Sequence, residues 1–136
     1  MKIRAVAFLL LLTVPLCAKS HGHSANQADI SQPGYAFALA AADHFLQAWQ
    51  SGDFENGMVL LSDGLRQSQS ADKLEQYFSD ATNRAFEITR GRGHQGRYLF
   101  PVVLIAPRGS SHLTRKFSEI IVVDAGRNDW VVDKLP

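Results

Sequence analysis

Apolar positions recur at helical spacing in the first half of the chain and at strand spacing in the second. From Tyr35 to Gln50, the residues Phe37, Ala38, Ala41, Phe45, Ala48 and Trp49 share one broad face at about 100° per residue, with Asp43, Gln47 and Gln50 opposite. Pro33 suits a first helical turn and Gly52 suits a helix stop. Asp53 can cap a second helix, in which Phe54, Met58 and Leu61 follow i, i+4, i+7 spacing and which Ser62-Asp63-Gly64 breaks. Ser70 can cap a third, with Leu74, Tyr77 and Phe78 as its buried side.

Beyond residue 80 the period shortens. Ala85–Thr89 reads as a short strand, Tyr98–Ala106 and Leu113–Asp124 as long ones, and Asp129–Leu135 as the last. Pro107–Ser111 and Asp124–Asn128 supply the turns between them. Helices first and an antiparallel meander after them give an α+β layout of one domain.

The two long strands are apolar on both sides. Phe100, Val102 and Leu104 point one way, and Leu99, Val103 and Ile105 the other. Phe117, Ile121 and Val123 likewise oppose Ile120 and Val122. A sheet with helices on one face and water on the other alternates more cleanly. The expectation is that a second copy of the chain covers the second face, giving a homodimer through the sheet.

The N-terminus follows a different logic. Lys2 and Arg4 precede the apolar run Ala5–Leu12, and polarity rises at Lys19-Ser20-His21 after Cys17-Ala18. This is the layout of a secretory signal peptide cleaved after Ala18, and the run is shorter than the ~20 residues of a membrane-spanning helix. The expected product is exported, periplasmic or secreted, with no stable membrane span after processing. A lipid-modified Cys17 fits poorly, because Leu16 stands where a small residue is usual. Lys2 and Arg4 account for two of the 14 basic residues, so the remainder carries 12 against 13 acidic ones, and the formal charge falls from +1 to −1. That balance excludes a general nucleic-acid binder. The single cysteine excludes an internal disulfide framework. Residues 19–34, rich in Ser, His, Asn, Gln and Ala, read as a flexible lead-in to a domain over 35–136.

Two segments carry a further resemblance. In A-A-D-H-F-L-Q-A-W-Q-S-G-D-F-E (41–55) and F-S-E-I-I-V-V-D-A-G-R-N-D-W-V-V-D-K-L-P (117–136), the chain resembles the nuclear-transport-factor-2-like (NTF2-like) superfamily. This is the cone-shaped, cystatin-like α+β fold shared with ketosteroid isomerases and SnoaL-like polyketide cyclases, and the likeness covers about residues 35–136. The resemblance implies N-terminal helices on a curved antiparallel sheet, with an apolar pocket between the first helix and the concave face. Catalytic members place an acidic base and hydrogen-bond donors there. No residue-by-residue match to that set is present, so no catalytic residue is assigned and no cofactor is expected. The fold hosts enzymes, binding proteins and dimerisation modules alike, so function has to come from the site.

Candidate site residues fall into three groups. His44, Trp49, Tyr77, Tyr98 and Trp130 could line a pocket for a small apolar ligand, with His44 next to Asp43 as a titratable group. Each also has a plainer reading, as core aromatic or boundary histidine. Glu87, Asp124 and Asp133 are carboxylates on or beside strands. Arg90, Arg92 and Arg97, interleaved with three glycines and His94, could hold an anionic ligand or form a flexible loop between strands. Cleavage after Ala18 would expose Lys19-Ser20-His21, whose amine, amides and imidazole suit square-planar Cu(II) or Ni(II), with His23 as an extra donor. The sequence therefore reads first as an exported, non-catalytic binding or interaction module. An isomerase-, cyclase- or dehydratase-type enzyme using the cone pocket is the alternative, and metal handling at the mature N-terminus is the third.

Overall fold

Pro33, whose ring is already set for a helix, opens α1 (Pro33–Ser51), and Gly52 closes it in the left-handed conformation at φ 72°. The computed structural model describes residues 30–79, 81–109 and 112–136. The expected signal peptide (1–18), Cys17, most of the lead-in and the metal candidates His21 and His23 lie outside the described residues.

Three short helices follow, each started by a side chain that accepts a first-turn N–H. Asp53 accepts from Asn56 at 3.1 Å for α2 (Phe54–Val59), Ser62 from Leu65 at 3.1 Å for α3 (Asp63–Ser68), and Ser70 from Lys73 at 3.3 Å for α4 (Ala71–Phe78). The α3 helix corrects the sequence reading. Ser62-Asp63-Gly64 starts a helix there instead of only ending one, because the Ser62 hydroxyl caps it and Gly64 lies exposed in its first turn.

Five strands form one antiparallel sheet: β1 (Ala85–Ile88), β2 (Arg92–His94), β3 (Arg97–Arg108), β4 (His112–Asp124) and β5 (Trp130–Lys134). Their order is β1-β3-β4-β5, and β2 pairs with the stretch of β3 beyond β1, so both short strands lie along the same edge of β3. At the other edge, Ser62 N–H donates to Val132 O and Val132 N–H to Leu60 O, at 2.8 and 2.7 Å. The α2–α3 connection thus covers the free side of β5, and Leu61 is buried there.

The core lies between α1 and one sheet face. Tyr98, Phe100, Val102 and Leu104 of β3 and Ile120 and Val122 of β4 meet Ala38, Ala42, Phe45, Leu46 and Trp49 of α1. Phe45, Leu46, Phe100, Ile120 and Val122 are fully enclosed, and each stabilises the fold by roughly 1.5–3 kcal/mol through area removed from water. Phe37 is a correction: it is 51% exposed, at the flank of α1, while Ala42 and Leu46 on the other flank are buried.

Candidate functional site

The inner side of the sheet is closed by aromatic packing. Tyr35 stands edge-on to Tyr98 at 5.7 Å between ring centroids, Tyr98 packs on Trp130 at 5.7 Å, and Phe45 packs edge-on to Phe78 at 5.7 Å. Among the described residues, no polar or charged residue is buried. The polar tips of two core tyrosines are used structurally: Tyr98 donates to Gln32 Oε1 at 3.1 Å, and Tyr35 Oη accepts from the Gly91 N–H at 3.1 Å.

The five residues singled out as pocket candidates are not brought together. Trp49 and Tyr77 lie at one end of the core, 6.3 Å apart, and Tyr98 and Trp130 lie at the other. His44 is exposed on α1. With Gln47, Ser51, Asp53 and Asn56 it borders a surface groove of about 560 Å³ between α1 and α2. The Asp43 carboxylate accepts from Gln47 at 2.6 Å, one turn along the helix. Among the described residues, two polar atoms of the aromatic set have no hydrogen-bond partner, Tyr77 Oη and Trp130 Nε1. Burial pushes the Tyr77 hydroxyl pKa well above its usual value, and the Arg84 charge offsets only part of that.

Within the segment from Arg90 to Arg97, Arg92–His94 form β2 and Arg97 opens β3, which corrects the reading of a flexible loop. Gln95 and Gly96, at φ 50° and 82°, make a two-residue turn between β2 and β3. Arg92 pairs with Glu119 at 3.0 Å, and Arg97 pairs with Asp133 at 3.2 Å. Glu119 also meets Lys134 at 3.6 Å, and Asp133 accepts from the Ser62 hydroxyl at 2.9 Å. Two of the three arginines proposed for an anion therefore already face carboxylates; Arg90 is exposed between β1 and β2. Of the strand carboxylates, Glu87 is exposed on β1 and Asp124 accepts from Gly126 N–H at 2.8 Å.

Glu119, with its partners Arg92 and Lys134, lies on the outer sheet face. By strand register, Leu99, Val103 and Ile105 of β3, Phe117, Ile121 and Val123 of β4 and Val131 of β5 all project to it, together with Arg97 and Pro101 of β3 and Arg115 and Glu119 of β4. Phe117 is 78% exposed, and the other apolar residues are half-buried. Phe117 and Val103, with Pro101, Thr89 and the Arg92–Glu119 pair, border a groove of about 500 Å³.

Arg84 is a residue that periodicity did not single out. Its Nη1 donates to Trp49 O at 2.8 Å and Phe78 O at 3.3 Å, and its Nη2 donates to Ser79 O. Its guanidinium lies 4.8 Å over the Trp49 ring. It thus joins the C-terminal ends of α1 and α4, where a positive charge is favourable. A lone arginine in a turn carries no periodic signal, and the contacts that define it are remote in sequence.

No group of three or more His, Cys, Asp or Glu residues is placed to hold a metal among the described residues. No described helix is long and apolar enough to cross a membrane.

No family model matches the chain, and no curated protein matches it. Among solved structures, it is similar to a protein of Campylobacter jejuni described as an NTF2-like transpeptidase, at 14% identity and a TM-score of 0.52, over 71% of this chain and 97% of that one. It is also similar to Bd1075 of Bdellovibrio bacteriovorus, at 11% identity and a TM-score of 0.52, over 69% of this chain and 37% of that one. Identities this low speak to architecture alone: the chain has the NTF2-like α+β fold.

Proposed function

We propose that this NTF2-like domain is an exported, non-catalytic interaction module that pairs with a second copy of itself through the outer face of the sheet. The observation that carries the reading is the outer sheet face, where Leu99, Val103, Ile121, Val123 and Val131 are half-buried and Phe117 is 78% exposed, with Glu119 and its ion partners Arg92 and Lys134 set among them. An antiparallel sheet that turns one face to water is polar on that face. This one carries apolar side chains on both, and an exposed large apolar side chain such as Phe117 among half-buried ones favours an interaction site.

The non-catalytic part of the reading rests on the inner side. An acid–base enzyme using the cone needs a cavity with converging titratable groups. Here Phe45, Trp49, Tyr98, Phe100 and Trp130 occupy that space. The activity named for the Campylobacter jejuni neighbour is not carried over, since the shared feature is the fold. Among the serines on the helices, Ser51, Ser68 and Ser79 donate to backbone carbonyls of their own helices, and Ser62 donates to Asp133. That leaves those hydroxyls committed to structure.

The test is a pair of variants, Phe117→Lys and Ile121→Lys, run by size-exclusion chromatography with light scattering. Both are expected to halve the mass without changing the circular dichroism spectrum. A mass equal to that of the unmodified chain would refute the interface. Export is tested by N-terminal sequencing of material recovered outside the cytoplasm, expected to begin at Lys19.

A further inference from the structure

Strand β4 is longer than its partner on one side. β5 pairs with Ile121–Asp124 of β4. Among the described residues, no strand or bridge pairs with Leu113–Ser118 on the side away from β3. That stretch presents a row of N–H and C=O groups in the plane of the sheet, the template on which a further strand can form. A second copy over the outer face and a strand along this edge do not exclude each other, so the edge goes beyond the dimer and does not rest on it.

The side chains beside the edge say what can pair there. Leu113, Arg115 and Phe117 project to the outer face, and Thr114 and Lys116 to the opposite one. All five are exposed, Leu113 at 66%. Residues 101–118 contain Arg108, Arg115 and Lys116 and no acidic residue. Lys116 donates to Pro136 O at 3.4 Å, and Arg115 has no ion pair among the described residues. The next carboxylate along the strand, on Glu119, already faces Arg92 and Lys134. Like charges directly opposite each other destabilise a strand pair, and opposite charges stabilise it. A second copy would bring its own Arg115 and Lys116 to this edge and is disfavoured, whereas an acidic strand is attracted. The same two cations thus hold off self-pairing and select the partner.

We propose that the free edge of β4 takes an extended acidic segment of another protein, added antiparallel as a further strand of the sheet. The register sets its pattern. Opposite Phe117, Lys116, Arg115, Thr114 and Leu113, in the direction of the incoming segment, come an apolar residue, two acidic residues, a β-branched polar one and a second apolar one.

The probe is fluorescein-labelled Thr-Val-Glu-Glu-Thr-Val-Thr, read by fluorescence polarisation against the unmodified chain. Binding is expected to saturate below about 1 mM and to weaken as salt is raised. The peptide with both Glu replaced by Lys is expected to bind at least about tenfold more weakly. Arg115→Glu combined with Lys116→Glu is expected to reverse that preference. Hydrogen exchange read by mass spectrometry is expected to slow at Leu113–Ser118 when the acidic peptide is bound, and to be unchanged in α1. Should the double variant fail to fold by circular dichroism, the two peptides on the unmodified chain still decide. No binding up to about 1 mM, equal binding of the Lys peptide, or binding without slower exchange at Leu113–Ser118 overturns the proposal.

Discussion

Arg84 offers the most quantitative test of how the helical layer is held. Its guanidinium donates to carbonyls at the ends of α1 and α4 and lies over the buried Trp49 ring. Hydrogen bonds from a charged donor contribute about 1.5–3 kcal/mol each when well enclosed. These are only partly buried and come from one guanidinium, so the group is counted once, at the lower end of about 1.5 kcal/mol. The helix ends add about 0.3–1 kcal/mol and the ring contact about 0.5–1 kcal/mol. Arg84→Ala is therefore expected to cost about 2–4 kcal/mol, or a fall in Tm of roughly 10–25 °C for a folded unit of this size. Arg66 is the internal control. Among the described residues it pairs with Asp63, with side chains 40% and 83% exposed, and Arg66→Ala is expected to cost at most about 0.5 kcal/mol. Arg84→Lys keeps the charge but not the fork, and should recover less than half of the loss. Urea unfolding followed by tryptophan fluorescence reads all three. An Arg84→Ala variant indistinguishable from Arg66→Ala would refute the reasoning.

Two further substitutions probe the core. Tyr77→Phe removes a hydroxyl without a partner and is expected to raise stability by about 1 kcal/mol at neutral pH. Because the native state holds the Tyr77 pKa above its ordinary value of 10.0, the unfolded state loses the proton first. The contribution is complete below pH 10 and falls as pH rises beyond it, by up to about 1.4 kcal/mol per unit. Urea midpoints between pH 9 and 11 should show this loss in the unmodified chain and not in Tyr77→Phe. Gly57→Ala sets two effects against each other. Alanine gains about 1 kcal/mol of helix propensity, but its Cβ would stand 2.2 Å from Phe78 Cζ. The ring cannot give way inside the core, so a net loss of about 1–3 kcal/mol is expected in the same assay.

The long elements were legible because each carried a sustained pattern with punctuation at both ends. Pro33 and Gly52 bracket α1, and the alternation in β3 and β4 names both faces of the sheet correctly. What escaped was decided by remote contacts. The helical wheel gives an apolar arc wide enough to include either Phe37 or Leu46, and only the position of the sheet decides between them. The glycines between Arg90 and Arg97 read as flexibility, yet two of them mark close packing. A Cβ on Gly91 would meet the Phe100 ring at 2.5 Å, and one on Gly93, at φ 138°, would meet Arg97 O at 2.2 Å. Of the candidate site residues, the aromatic ones were visible as types, but their separation into two ends of the core is a property of the fold. The ion partners of Arg92 and Arg97 lie 27 and 36 residues away, beyond any local pattern.

The central claim is that the outer face of the sheet is completed by a second copy. Burying a phenylalanine contributes about 1.5–3 kcal/mol, so the two Phe117 side chains of a dimer contribute about 3–6 kcal/mol, or roughly two to four powers of ten in the dissociation constant. Sedimentation equilibrium of the processed chain at tens of micromolar tests this most directly. The account predicts a dimer that dissociates on Phe117→Lys. A monomer across that range in the unmodified protein would contradict it.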